Sequence, residues 1–72
     1  MSEDTEYAEL RDRIVTYLNG VGGKGADTLV HIAKNTGMQR RQASKILLRM
    51  EMEGLVQPAG VTAGVAGYKL VK

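Results

Sequence analysis

Five cations fall between positions 34 and 49 of this sequence, and no carboxylate falls among them: Lys34, Arg40, Arg41, Lys45 and Arg49. Gln39, Gln42 and Ser44 are interleaved with them. Guanidinium and ammonium groups donate charge-assisted hydrogen bonds to phosphate oxygens, and Arg or Lys can also donate to the O6 and N7 acceptors of guanine. A glutamine carboxamide can pair with the N6 and N7 edge of adenine. The set therefore fits a polyanion that carries bases. A solvated helix face has a similar composition, and charge alone does not separate the two readings.

Other candidates for chemistry are sparse. His31 is the single histidine, and the chain has no cysteine. Without a second imidazole, a thiolate or converging carboxylates it lacks the partners of a zinc site or a catalytic group, so it is read as a helix-surface residue. Gly22-Gly23-Lys24-Gly25 has the look of a phosphate cradle but neither the spacing nor the Lys-Ser/Thr ending of a P-loop, and reads as a helix connection. Met38, Met50 and Met52 read as core filler. No catalytic residue, metal, cofactor or small-molecule substrate is expected, and the chain is not expected to be an enzyme.

The 72 residues predict one domain over 1–72. A domain of this size buries only about 60% of the surface its unfolded chain exposes, which leaves little apolar material for a deep cleft. Three tyrosines with no Phe or Trp argue against aromatic platforms for single-stranded nucleic acid. No apolar run reaches the roughly 18–20 residues of a membrane span, and the acidic start, MSEDTEYAEL, has the character of neither a signal nor a transit peptide. A cytoplasmic protein is expected, nucleoid-associated if bacterial, with no membrane partner. The formal net charge of +2 conceals a segregation. Residues 1–12 hold Glu3, Asp4, Glu6, Glu9 and Asp12 against Arg11 alone, whereas the basic stretch lies past position 34. That stretch is the electrostatic footprint of a polyanion binder.

Three helices must carry these residues. Tyr7, Leu10, Ile14, Tyr17 and Leu18 recur at helical spacing and predict a helix from about Thr5 to Asn19, with residues 1–5 disordered before it. Asp27 or Thr28 can cap a second helix that runs through Asn35. A third follows from about Gln39 to Glu53 and stops at Gly54. Leu55 to Gln57 then reads as a short strand that Pro58 ends, residues 59–67 as a mobile glycine-rich loop, and Tyr68 to Val71 as a returning strand.

The stretch from Leu29 to Leu48 meets the demands of two helices crossing steeply over a short turn. Ala33 is small where the second helix packs closest, Gly37 frees the turn from Cβ strain, and Ala43 and Ile46 face inward from the next helix, with Ile32 and Met38 on either side. This resembles the general helix-turn-helix signature, here over about 28–53, followed by a wing over about 55–71. The fold class expected is α+β, mostly α: a winged helix-turn-helix of three helices and a C-terminal β-hairpin. On the third helix Ala43, Ile46, Leu47 and Met50 point at the core, while Arg41, Ser44 and Lys45 fall opposite with Arg40 at the edge. Arg40, Arg41 and Lys45 are the expected contacts in the major groove of double-stranded DNA. Arg49 and Lys34 are assigned to phosphates, and Gln39, Gln42 and Ser44 complete the candidate set. Leu48 and Met52 lie on the outward side. Either the hairpin covers them, the reading preferred here, or they form a protein interface.

From about Ile14 onward the chain resembles the small pilus-operon regulators of the PapI/FaeA type. The resemblance rests on Ile14, Leu18-Asn19, Gly22-Gly23-Lys24, Ile32-Ala33, Gln42-Ala43, and Gly54 with Val56-Gln57. It continues through Gly64, Ala66, Tyr68 and Lys72. It implies a free-standing winged helix that regulates transcription together with a larger DNA-binding protein. The family's wing is basic, whereas residues 57–67 here hold no charge, so the expected contact shifts to the third helix. More distantly the chain resembles the Z-DNA-binding winged helices, which use an Asn and a Tyr on the third helix and a Trp beside a proline-rich wing. Ser44, Leu48 and Tyr68 stand at the matching positions, so both helix residues of that activity are missing. A resemblance to the winged helix that closes bacterial DNA translocases is confined to the third helix. The function expected is a double-stranded DNA-binding transcriptional regulator. The alternative is a protein-interaction winged helix, a homodimer or the co-regulator of a larger DNA-bound protein, with little DNA affinity of its own.

Overall fold

The computed structural model describes residues 3–20 and 26–71. The first helix, α1, spans Glu3–Gly20. Its stripe of Tyr7, Leu10, Ile14 and Leu18 is buried, with Val15 and Tyr17 packed at its margin. The helix starts two residues before the expected Thr5. Of the stretch expected to be disordered, Glu3 to Thr5 are part of α1, and Met1 and Ser2 lie outside the described residues. The Gly22 to Gly25 connection lies outside the described residues.

A short strand, β1 (Ala26–Thr28), precedes the second helix, α2 (Leu29–Thr36). The strand was not expected; Asp27 or Thr28 was expected as a cap, and Thr28 takes that role. The Thr28 hydroxyl accepts from the His31 N–H at 3.4 Å. Gly37 ends α2 at φ +74°, and the next N–H, that of Met38, reaches back to the Ala33 carbonyl at 3.0 Å. A residue with a Cβ is strained at that φ, which is why glycine stands there. The third helix, α3, covers Arg40–Met52 with Gln39 and Glu53 as its caps, and the Leu55 N–H closes it onto the Met50 carbonyl at 2.9 Å.

The remaining chain forms β2 (Val56–Thr62) and β3 (Val65–Leu70). The sheet is antiparallel in the order β1-β3-β2. Most of the stretch expected to be a mobile loop, 59–67, is therefore strand. Pro58 does not end β2: it pairs with Tyr68, and an irregularity between Pro58 and Val61 shifts the register so that Val61 meets Ala66. β2 is an edge strand, where a missing N–H is tolerated, and a bulge absorbs the mismatch. Ala63 and Gly64 turn the hairpin with φ of +52° and +80°. Positive φ at both central residues is the geometry that matches strand twist in a two-residue hairpin.

One apolar cluster joins the elements. It takes Ile32 and Ala33 from α2, Ala43, Ile46, Leu47 and Met50 from α3, Met38 from the turn and Val56 from β2, against the α1 stripe. Burying a side chain of Leu or Ile size contributes about 1.5–3 kcal/mol, and this shared burial is what fixes α3 against α1 and α2. Met38 and Met50 fill the core as expected, but Met52 is 79% exposed and does not.

Candidate nucleic-acid interface

The face of α3 is set by its buried side. Ala33 and Ala43 are small and buried at 4% and 0% exposure, which brings the two helices of the turn close. The Thr36 hydroxyl, also buried, donates to the Ile32 carbonyl at 2.6 Å and so leaves no orphan donor in the crossing. With Ala43, Ile46, Leu47 and Met50 turned inward, the opposite side of α3 must face solvent or a partner.

Gln39, Arg40, Arg41 and Lys45 are exposed there, and Gln42 and Ser44 are half-buried. The structure divides them. Gln39, Arg40, Arg41 and Ser44 border one open concavity with Leu29, at the N-terminal end of α3. Gln42, Lys45 and Arg49 border a different cleft of about 400 Å³, whose other wall is Glu6, Tyr7 and Leu10 of α1. Lys34 is exposed in the last turn of α2, where a cation also complements the helix dipole.

Arg49 stands apart from the rest of the set. Its guanidinium lies 4.0 Å over the Tyr7 ring and its Nε is 3.5 Å from Glu53 Oε2. The Tyr7 hydroxyl donates to Glu53 Oε1 at 2.6 Å. Burial, and then the hydrogen bond to the Glu53 carboxylate, push the Tyr7 hydroxyl up to about 12. Arg49 thus stitches α3 to α1. Tyr7 and Glu53 are 46 positions apart, and no local spacing could have paired them.

Leu48 and Met52 are 56% and 79% exposed. The preferred expectation that the hairpin covers them is overturned. Val56 enters the core while the rest of β2 is exposed, so the hairpin leads away from α3 instead of folding over it. The wing residues Gln57 to Gly64 carry no charge and are all exposed.

A second polar cluster links α1 to the start of α2. The Tyr17 hydroxyl donates to Asp27 Oδ2, the Thr28 N–H donates to Asp27 Oδ1 at 2.8 Å, and His31 Nδ1 is 3.2 Å from the same oxygen. The Asn35 amide donates to the Tyr17 oxygen at 3.3 Å and to the His31 carbonyl at 2.8 Å. Burial works against ionisation of Asp27, but the hydrogen bonds from Tyr17, Thr28 and His31 outweigh it and hold the carboxyl below its ordinary range. The same bond raises the Tyr17 hydroxyl. His31 is exposed, as read from the sequence, but the Asp27–Tyr17 link was missed because Asp27 was weighed only as a cap. Among the described residues no group of three His, Cys, Asp or Glu side chains could hold a metal ion. No described helix is long and apolar enough to cross a membrane.

Three helices followed by an antiparallel hairpin, with α2 and α3 joined through Gly37, constitute the winged helix-turn-helix fold. Among solved structures the chain is similar to the Zα domain of PKZ from Carassius auratus, determined in complex with Z-DNA. The TM-score is 0.79 at 15% identity, over 92% of this chain and 98% of that one. No family model and no curated relative matches the sequence.

Proposed function

We propose that this chain is a double-stranded DNA-binding transcriptional regulator that lays α3 in the major groove. The observation that carries the reading is the exposed, acid-free N-terminal half of α3, where Gln39, Arg40, Arg41 and Ser44 border one concavity. Arg40 and Arg41 have the fork geometry for guanine or phosphate, and Gln39 has the amide for adenine. Lys45, one turn further on, and Lys34 extend the cationic surface toward the flanking phosphates. The uncharged wing contributes backbone donors only. Arg49, held on Tyr7, adds positive potential from the side. The Zα neighbour was solved on duplex DNA of the Z form, which supports duplex DNA as the ligand class. Ser44 and Leu48, where the Z-DNA readers resembled above have Asn and Tyr, favour the B form here. The resemblance to the PapI/FaeA-type regulators supports transcriptional control beside a larger DNA-bound protein.

The test is a titration of fluorescently labelled B-form duplex at several salt concentrations, with a Z-form duplex as competitor. Neutralising about three to five phosphates gives a slope of log K against log salt near −3 to −4. Arg41→Ala should weaken binding about tenfold and make that slope shallower by about one if the contact is to phosphate. Absence of binding at low salt, or a response flat in salt, overturns the reading. Preference for the Z-form competitor overturns the major-groove assignment.

A further inference from the structure

The cleft between α1 and α3 is a separate surface from the concavity assigned to DNA. Its floor is Tyr7, Leu10 and Ile46, and on its rim stand Leu48 and Met52, two large apolar side chains that are 56% and 79% exposed. Such side chains next to an apolar floor are the anatomy of an interaction site. The cleft's two lips carry opposite charge. Glu6 stands on the α1 lip and Lys45 on the α3 lip, and neither takes part in an ion pair among the described residues. Beyond the lips the contrast is one of degree: α1 exposes Glu6, Glu9 and Asp12 beside Arg13, with Asp12 paired to Arg11 at 3.2 Å, whereas α3 exposes Arg40, Arg41, Lys45 and Arg49, the last paired to Glu53 at 3.5 Å.

A surface with an acidic wall, an apolar floor and a basic wall is complementary to itself turned through 180°. A two-fold contact uses the same patch on both copies, so residue i of one meets residue j of the other and the reverse. Here the rotation sets the acidic lip of each copy against the basic lip of the other and places the Leu48 side chains over the apolar floor. We infer that the α1–α3 cleft is the seat of a second copy of this chain, forming a two-fold homodimer in which Glu6 of each copy faces Lys45 of the other around Leu48 and Met52. The inference rests on the cleft and its charges and shares only Lys45 with the DNA reading. In the dimer the concavity of Gln39, Arg40, Arg41 and Ser44 stays open on both copies, while Lys45 turns from solvent to its partner. With two large apolar anchors per copy the association belongs to the weak, small-interface class.

The experiment is sedimentation of the full chain without DNA, across micromolar to millimolar concentration. Wild type should pass from monomer to dimer, and Leu48→Glu should stay monomeric while its circular dichroism and melting remain those of wild type, since Leu48 is mostly exposed. Glu6→Lys and Lys45→Glu should each weaken the dimer at least about tenfold by setting like charges together, and the chain carrying both changes should recover most of the loss. Met52→Glu, at a still more exposed position, repeats the apolar test if Leu48→Glu melts early. A wild type that is monomeric throughout overturns the inference, as does a dimer indifferent to both apolar variants. Single charge variants that weaken association without recovery in the double variant overturn the two-fold pairing. Because DNA is absent, these outcomes test the dimer alone: a confirmed dimer withdraws only Lys45 from the proposed DNA surface and leaves Gln39, Arg40, Arg41 and Ser44 on it, and loss of DNA binding leaves the dimer untouched.

Discussion

Tyr7 does three things with one side chain. Its ring fills the core at 5% exposure, its face carries the Arg49 guanidinium at 4.0 Å and the Arg11 guanidinium at 5.5 Å, and its hydroxyl donates to Glu53. Ionising that hydroxyl places a phenolate beside a carboxylate in a poorly hydrated spot. The folded chain therefore resists the ionisation until about pH 12, whereas the unfolded chain titrates near the ordinary value of 10.0. Below the unfolded value both states hold the proton, and the contribution to stability is fully present. Between the two values the unfolded chain loses its proton first, so stability falls as pH rises. Melting temperatures measured across that window should drop more steeply for wild type than for Tyr7→Phe. Tyr17, raised in the same direction by Asp27, contributes to both and cancels in the comparison. Equal slopes for the two chains refute the account.

At the scale of the element, the hairpin shows how a turn can be present without its usual signature. Ala63 and Gly64 both adopt positive φ. Asn-Gly is the preferred pair for such a turn, because Asn tolerates the left-handed region that costs other L-residues roughly 1–2 kcal/mol. Ala63 carries that strain, and so the stretch reads as loop in the sequence although it folds as a hairpin. Ala63→Asn should raise stability by about 0.5–1 kcal/mol, measured by urea unfolding, with the wing amides more protected from hydrogen exchange. A variant no more stable than wild type would show that the turn relaxes at no cost. The turn between α2 and α3 is the opposite case. Gly37 at φ +74° is visible in advance, because glycine four positions after a small helical residue has a geometric reason to be there.

Charge belongs to the whole molecule. The fold spans 36 × 24 × 21 Å, two to four times the Debye length of roughly 8–10 Å at physiological salt. The acids on α1 and the cations on α3 therefore share one field at low ionic strength and become independent at high. Glu9 and Asp12 are exposed and lie away from the cleft and from the assigned DNA contacts. Neutralising them as Glu9→Gln with Asp12→Asn should raise duplex affinity about two- to threefold at low salt and leave it unchanged at high salt. A gain that persists at high salt would mean a local contact instead of a field effect, and no gain at low salt would place DNA elsewhere on the surface.

Much of this protein was legible from spacing alone. The periodic apolar positions predict the three helices to within a few residues, and Ala33, Gly37, Ala43 and Ile46 predict the crossing between two of them. The inward side of α3 follows from the same positions, and so does the outward placement of Arg41 and Lys45. These are local regularities, enforced by helical geometry whatever the rest of the chain does. Other features needed the chain to fold. β1 is three residues long and is a strand only because β3 supplies its partner, so no propensity could announce it. Pro58 is tolerated because β2 is an edge, which is a property of the sheet. Arg49 and Lys45 are both helix-surface cations on paper, yet one is drawn onto Tyr7 and the other left open on the lip of a cleft. Leu48 and Met52 stay uncovered because the hairpin leads away from the helix. Each of these outcomes depends on groups far apart in the chain, and packing alone decides which of them meet.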